Sequence, residues 1–383
     1  MSLASMLLYK NNEAVIENAS TTDVDDLAAD IKAIVDDEPT TECWVDSALE
    51  SLVNDIYSVD KAYHTADIIA EVKVIREGAD PAVLLEGIVN SGIEKIKNAF
   101  KTFWAKLKAW FGEVKRQFKL IFTKGKEFIK EFRTELDKKP VKGFTYTGKE
   151  YDLDAGDKEG ETIFDAVENK VASLTNWNSA EKMTTGDVSK DDYIAFLKTA
   201  GINMDGQGDM SSSDIQDKFI KDGKFAKGSA NISELNENLV KMYHKGNDAD
   251  ETTTIDDFAN VSKDDMMAHV ESYEKAVKEI EKSEKKFDAL MNKIIKAYDS
   301  ISKKDLGGND AAYKQAQFAS RAITALLAVG KVPSSVKQSM YKEAAHQYER
   351  VLKSFLRWKP AKESVEVEPQ TDSLLEQAMG MIF

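Results

Sequence analysis

Apolar residues recur along much of this chain at steps of three and four, the signature of amphipathic helices. Phe100, Leu107, Val114, Ile121 and Phe128 fall seven residues apart. Trp104, Phe111, Phe118 and Phe132 each follow four later, with Gly125 as the one gap. Phe103 and Trp110 widen the stripe, and Lys101, Lys108, Lys115, Lys119 and Lys126 lie on its flanks and back. The pattern predicts one long helix that starts with Asp80 as N-cap and Pro81 in the first turn and continues to Asp137. Its spacing near 3.5 allows coiled-coil-like packing. A second stripe runs through Met266, Val270, Tyr273, Val277, Ile280, Phe287, Met291, Ile294, Tyr298 and Ile301, with Glu284 as its only polar step. It predicts a helix over 263–303, about 55–60 Å long. Gly307–Gly308 end it, and further helices are expected over 310–329 and 334–357.

Elsewhere the rhythm is weaker. Two short helices are expected within 1–38, then helices over 45–57 and 60–77. The stretch "KGFTYTGKEYDLDAGDKEGE" reads as a hairpin with Phe144, Tyr146 and Tyr151 as strand residues. Short helices are expected at about 188–200, 213–221, 232–243 and 254–260. The six prolines serve as boundary marks, none inside a helix. The expected fold is mainly α: an elongated bundle of long amphipathic helices with a small α-rich insert and one β-hairpin. Five segments follow: an acidic helical leader (1–86), a basic aromatic helix (87–139), a polar insert (140–262), a C-terminal bundle segment (263–358), and a linker with a short apolar tail (359–383).

Charge sharpens this division. Net charge is −15, but residues 1–90 carry 5 Lys+Arg against 19 Asp+Glu, and residues 91–139 carry 14 against 6. An acidic block beside a basic one implies internal pairing or a partner for one of them. The lone Cys43 excludes an internal disulfide and reads as a small buried hydrophobe. The start "MSLASMLLYKNNE" has no basic region ahead of its apolar run, which argues against a signal peptide, and "AITALLAVG" is too short to span a bilayer.

Signs of catalysis are absent from the pattern. His64, His244, His269 and His346 are scattered, and there is no HExxH, GxGxxG, Walker or GxSxG motif. The expectation is a non-enzyme without catalytic residues, cofactor or metal. "NMDGQGDMSSSD" has a faint calcium-loop spacing through Asn203, Asp205, Gln207, Gly208, Asp209 and Asp214. Asn stands where Asp is preferred and Asp where a bidentate Glu is preferred, so a polar loop is the plainer reading.

The basic aromatic helix admits three readings. Its face (Phe100, Phe103, Trp104, Leu107, Trp110, Phe111, Val114, Phe118, Ile121) packs on other helices, or lies in a membrane interface, while its lysines are candidate anion contacts for nucleic acid. The stretch "IREGADPAVLLEGIVNSGIEKIKNAFKTFWAKLKAWFGEVKR" resembles internal head proteins of large tailed bacteriophages, over roughly residues 70–140, and the ending "SLLEQAMGMIF" has a similar flavour. The resemblance implies a virion structural protein, made in the host cytoplasm and packaged in the head interior. Its implied partners are other virion proteins or copies of itself, with packaged DNA and a transient membrane contact as further candidates and no small-molecule substrate. It also implies trimming by a prohead protease after glutamate, for which Glu50, Glu86 and Glu376 are the candidate sites. Trimming would remove an acidic leader that masks the basic helix. The alternative is a membrane-active helical protein acting through the same helix.

Overall fold

The structure, a computed structural model, describes residues 41–77, 80–131, 146–148, 151–177, 189–205, 210–245, 253–255, 263–302 and 310–357. Among them are nine helices: α1 (Thr41–Glu77), α2 (Pro81–Glu131), α3 (Leu153–Leu174), α4 (Lys190–Thr199), α5 (Ser212–Gly223), the single turn α6 (Phe225–Gly228), α7 (Ile232–Met242), α8 (Lys263–Ile301) and α9 (Ala311–Arg357). Two three-residue strands, β1 (Tyr146–Gly148) and β2 (Thr253–Ile255), pair antiparallel. The fold is a mainly α helical bundle. The two helices expected within 1–38, Phe144, and the tail with its linker lie outside the described residues.

The bundle is organised around α9. From Ala311 to Tyr341 nearly every side chain of α9 is buried, because α2, α3, α4, α5, α7 and α8 all pack on it. Small residues permit this crowding: Ala311, Ala312, Ala316, Ala319, Ala322 and Ala325 are all buried. Its polar residues are largely satisfied within the bundle. Ser320 and Thr324 donate to carbonyls of the preceding turn, both at 2.8 Å, and the Gln315 amide reaches the Asn176 carbonyl at 3.0 Å.

Side-chain pairs set the helix directions. Lys97 meets Asp299, Phe100 stacks on Tyr298, and Lys115 meets Glu284, so α2 and α8 run antiparallel. Lys275, Lys282, Lys286 and Lys293 of α8 meet Asp154, Glu161, Asp165 and Glu168 of α3 in rising order, so α3 and α8 run parallel. Helix α1 lies on α9 through Asp60, which accepts from Gln317, from Arg321 at 3.2 Å and from Tyr313 at 3.5 Å, while Tyr63 stacks on Tyr313 with centroids 3.4 Å apart.

Four expectations are corrected. The strand residues expected to pair locally within 142–161 find distant partners among the described residues: β1 pairs with β2, more than a hundred residues on, and Tyr151 bridges His244. The "DAGDKEGE" segment instead opens α3, with Asp152 as N-cap accepting from the Ala155 amide at 3.1 Å. Gly156 and Gly160 read as turn residues, but they are places of close approach. A Cβ at Gly156 would overlap the Tyr243 ring, and one at Gly160 would sit 3.0 Å from Pro333 Cβ. Second, Pro333 lies inside one continuous α9, not between two helices. Interior proline costs about 3 kcal/mol locally, and burial of the surrounding turns between several helices offsets it. Third, the helices expected over 45–57 and 60–77 are one helix, since Asp60 reaches across to α9 and does not cap a new start. Fourth, Thr254 and Ile255, placed at the start of a helix over 254–260, belong to β2; residues 256–260 lie outside the described set.

Candidate functional site

The α2–α8 seam is built by the heptad stripe. Phe100, Phe103, Trp104, Leu107, Trp110, Phe111, Val114 and Phe118 are all 7% exposed or less. Facing them, Phe287, Leu290, Met291, Ile294 and Tyr298 of α8 are buried. Phe287 sits between Phe111 (centroids 5.8 Å) and Phe164 of α3 (4.8 Å), so one ring joins three helices. The Trp104 indole N–H donates to Asp288 at 3.0 Å. The side chain of Ile121 lies outside the described set.

The lysines divide by position. Lys108 bonds Asp288 at 2.9 Å and lies 5.1 Å over the Trp104 ring, and Lys115 bonds Glu284, which explains the one polar step in the α8 stripe. Lys97, not singled out by the sequence pattern, is buried between Glu94 and Asp299. Lys101 and Lys119 are on the exposed face, and the Lys126 side chain lies outside the described set. The carboxylates that meet Lys97, Lys108 and Lys115 thus come from α8 and α2 itself. Helix α1 sends Asp46 and Asp60 to Lys331 and Arg321 of α9.

Comparison with protein-family models, curated proteins and solved structures finds no match.

Of the candidate processing sites, Glu50 is exposed within α1, but Ala48 and Leu49 beside it are buried. Glu86 is exposed in the second turn of α2. Both bonds lie inside helices, so cleavage there requires local opening or a chain not yet folded. Glu376 lies outside the described residues. Of the calcium-loop residues, Asp214 forms a capping box with Ser211 at the start of α5, and Asp205 meets Lys198 at 3.3 Å. Residues 206–209 lie outside the described set, and no metal-holding cluster occurs among the described residues.

A buried polar network went unnoticed in the sequence. Asp157 of α3 accepts from the Tyr243 hydroxyl at 2.9 Å and from the Tyr341 hydroxyl at 3.1 Å, and meets Lys337 at 3.2 Å. Lys337 also reaches Glu279 of α8 at 3.3 Å. Burial first, and the Asp157 charge next, push both phenols far above the ordinary tyrosine range, so they remain donors. These residues come from α3, α8, α9 and the end of α7, and no local spacing links them. The network pins the register of those elements.

The α3–α8 and α2–α8 ion pairs give a pH expectation. The carboxyls of Asp154, Glu161 and Asp288 are held below the usual range, chiefly by hydrogen bonds from Lys275, Lys282 and Lys108. A depressed folded pKa stabilises the fold above the unfolded value, about 4, and that contribution is lost as pH falls through the folded value. Lys275 is raised chiefly by its bond to Asp154, and Lys282 by its bond to Glu161. Their contribution is present below about 10.4 and is lost as pH rises through the folded values. Thermal melts should therefore show a Tm plateau from about pH 5 to 10 and declines on both sides. The declines should be shallower at about 1 M salt, where screening shortens to about 3 Å.

Proposed function

We propose that this chain is a non-enzymatic structural component of a tailed-phage virion, an internal head protein packaged with the genome. The observation that carries the reading is the burial of the aromatic face of α2 against α8. A helix whose Trp and Phe residues are used in packing acts as a scaffold element, and lipid could reach that face only if α2 left α8. The resemblance of residues 70–140 to internal head proteins supplies the setting, and the exposed Lys101 gives the outer face of α2 a cation for packaged DNA or acidic neighbours.

The test is made on particles from the native source. The chain should be found in purified virions, resist added protease while the head is closed, and become digestible once the head is opened. Intact mass then reads the N-terminus: a start at Ser51 or Gly87 adds processing to the proposal, and the initiator end removes the masking idea while keeping the rest. Absence from particles, combined with flotation on liposomes, would overturn the proposal in favour of the membrane-active reading.

A further inference from the structure

A groove of about 460 Å³ opens between α1, α5, α7 and α9. Its floor is apolar, made by Leu49 and Val53 of α1, Ile232 of α7, and Ala325 and Ala328 of α9. Its rim on the α1 side carries two carboxylates, Asp46 and Glu50. Asp46 is engaged by Lys331, the one cation of the lining, whereas Glu50 stands exposed at the mouth. The first turns of α5 and α7 also border the groove, at Ser212 and Ile232. Their positive ends are closed by their own side chains: Ser211 with Asp214, and Asn231 with Glu234. With Asp46 balanced by Lys331, Glu50 sets the sign of the groove.

A second observation marks the same flank. Val53 is 45% exposed and Tyr57 is 68% exposed, one turn apart on α1. With Val83 they are the exposed large hydrophobics among the described residues, and two of the three fall at the groove or one turn beyond it. Exposed apolar side chains beside an apolar depression mark a contact surface. The volume suits a few inserted side chains, not a whole helix.

We propose that this groove docks an amphipathic helix with a basic edge, presented by a neighbouring protein of the assembly. Apolar side chains spaced at i and i+3 or i+4 enter between Val53 and Ala328, and a lysine or arginine one turn away meets Glu50. The inference takes the source of the partner from the assembly reading. The groove itself is tested on the isolated full chain, so failure of either leaves the other standing.

The probe is a fluorescein-labelled peptide of about 18 residues built from Leu and Lys at helical spacing, titrated in about 0.15 M salt by fluorescence anisotropy. Saturable one-to-one binding is expected, with the matching Leu/Glu peptide weaker by at least about tenfold. The pair Glu50→Lys with Val53→Lys should weaken binding by about tenfold or more, and the pair Asp191→Lys with Glu237→Gln, equal in charge change but away from the groove, by less than about twofold. All four positions are accessible at the helix surface, and thermal melts confirm that each variant folds. No saturable binding, or equal loss in both pairs, would overturn the proposal. So would displacement of the peptide by micromolar octylammonium, which would make a small aliphatic cation the occupant.

Discussion

Lys337→Ala is expected to lower the free energy of unfolding by about 3–5 kcal/mol, as read from urea denaturation. The Lys337 ammonium is the cation between Asp157 and Glu279, and its side chain is only 6% exposed. Removing it leaves two poorly solvated carboxylates with no ammonium between them, and an uncompensated buried charge costs more than a lost attraction. The two phenols cannot compensate, because they are neutral donors already committed to Asp157. Neutralising the whole group, with Lys337→Met, Asp157→Asn and Glu279→Gln together, should cost clearly less than Lys337→Ala alone. That non-additivity is the diagnostic result. A loss of about 1 kcal/mol or less for the single variant would mean that water reaches the carboxylates and the network is a surface feature.

Phe287→Ala should be of similar size, about 3–5 kcal/mol. Phe287 is 1% exposed and packs against Phe111 on one side and Phe164 on the other. Its truncation opens a cavity shared by α2, α3 and α8, none of which can close it without shifting the ion pairs on either side. Phe287→Leu, which keeps most of the volume, should cost about 1.5 kcal/mol or less. If Phe287→Ala cost no more than Phe287→Leu, the three helices would be free to collapse onto one another. The α2–α8 seam would then be held by its charges, not by its rings.

The helices with strong heptad stripes were legible in sequence. The stripes of α2 and α8 give type and buried face, because each helix turns its apolar side chiefly to the other. Helix α3 was hidden by Gly156 and Gly160. Locally they signal a turn, and only the positions of Tyr243 and Pro333 explain them. Yet Ile163, Phe164, Val167, Val171 and Leu174 keep helical spacing, and Asp152 offers a cap, so the signal was there beneath the glycines. Pro333 misled in the opposite sense, because the packing that tolerates it is tertiary. The pairing of β1 with β2 and the Asp157 network join residues 58 to 184 positions apart, and periodicity carries no information at that range. The acidic and basic blocks were visible as charge. Their division of partners was not: α2 is matched at Lys97, Lys108 and Lys115 by carboxylates of α8 and its own Glu94, while α1 turns Asp46 and Asp60 toward α9.

The central place of α9 has a consequence for synthesis. Among the described residues it is the last helix in chain order, yet α2, α3, α4, α5, α7 and α8 all bury residues against it. At about 10 residues per second, the residues of α1 emerge roughly half a minute before the helix they rest on. For most of that interval α8 is also still to come, so the apolar faces of α2 meant for α8 and α9 have nothing to cover them. A nascent chain of this design is a client for chaperones until α9 itself appears. A premature stop anywhere before Ala311 would strand an aggregation-prone shell with no centre.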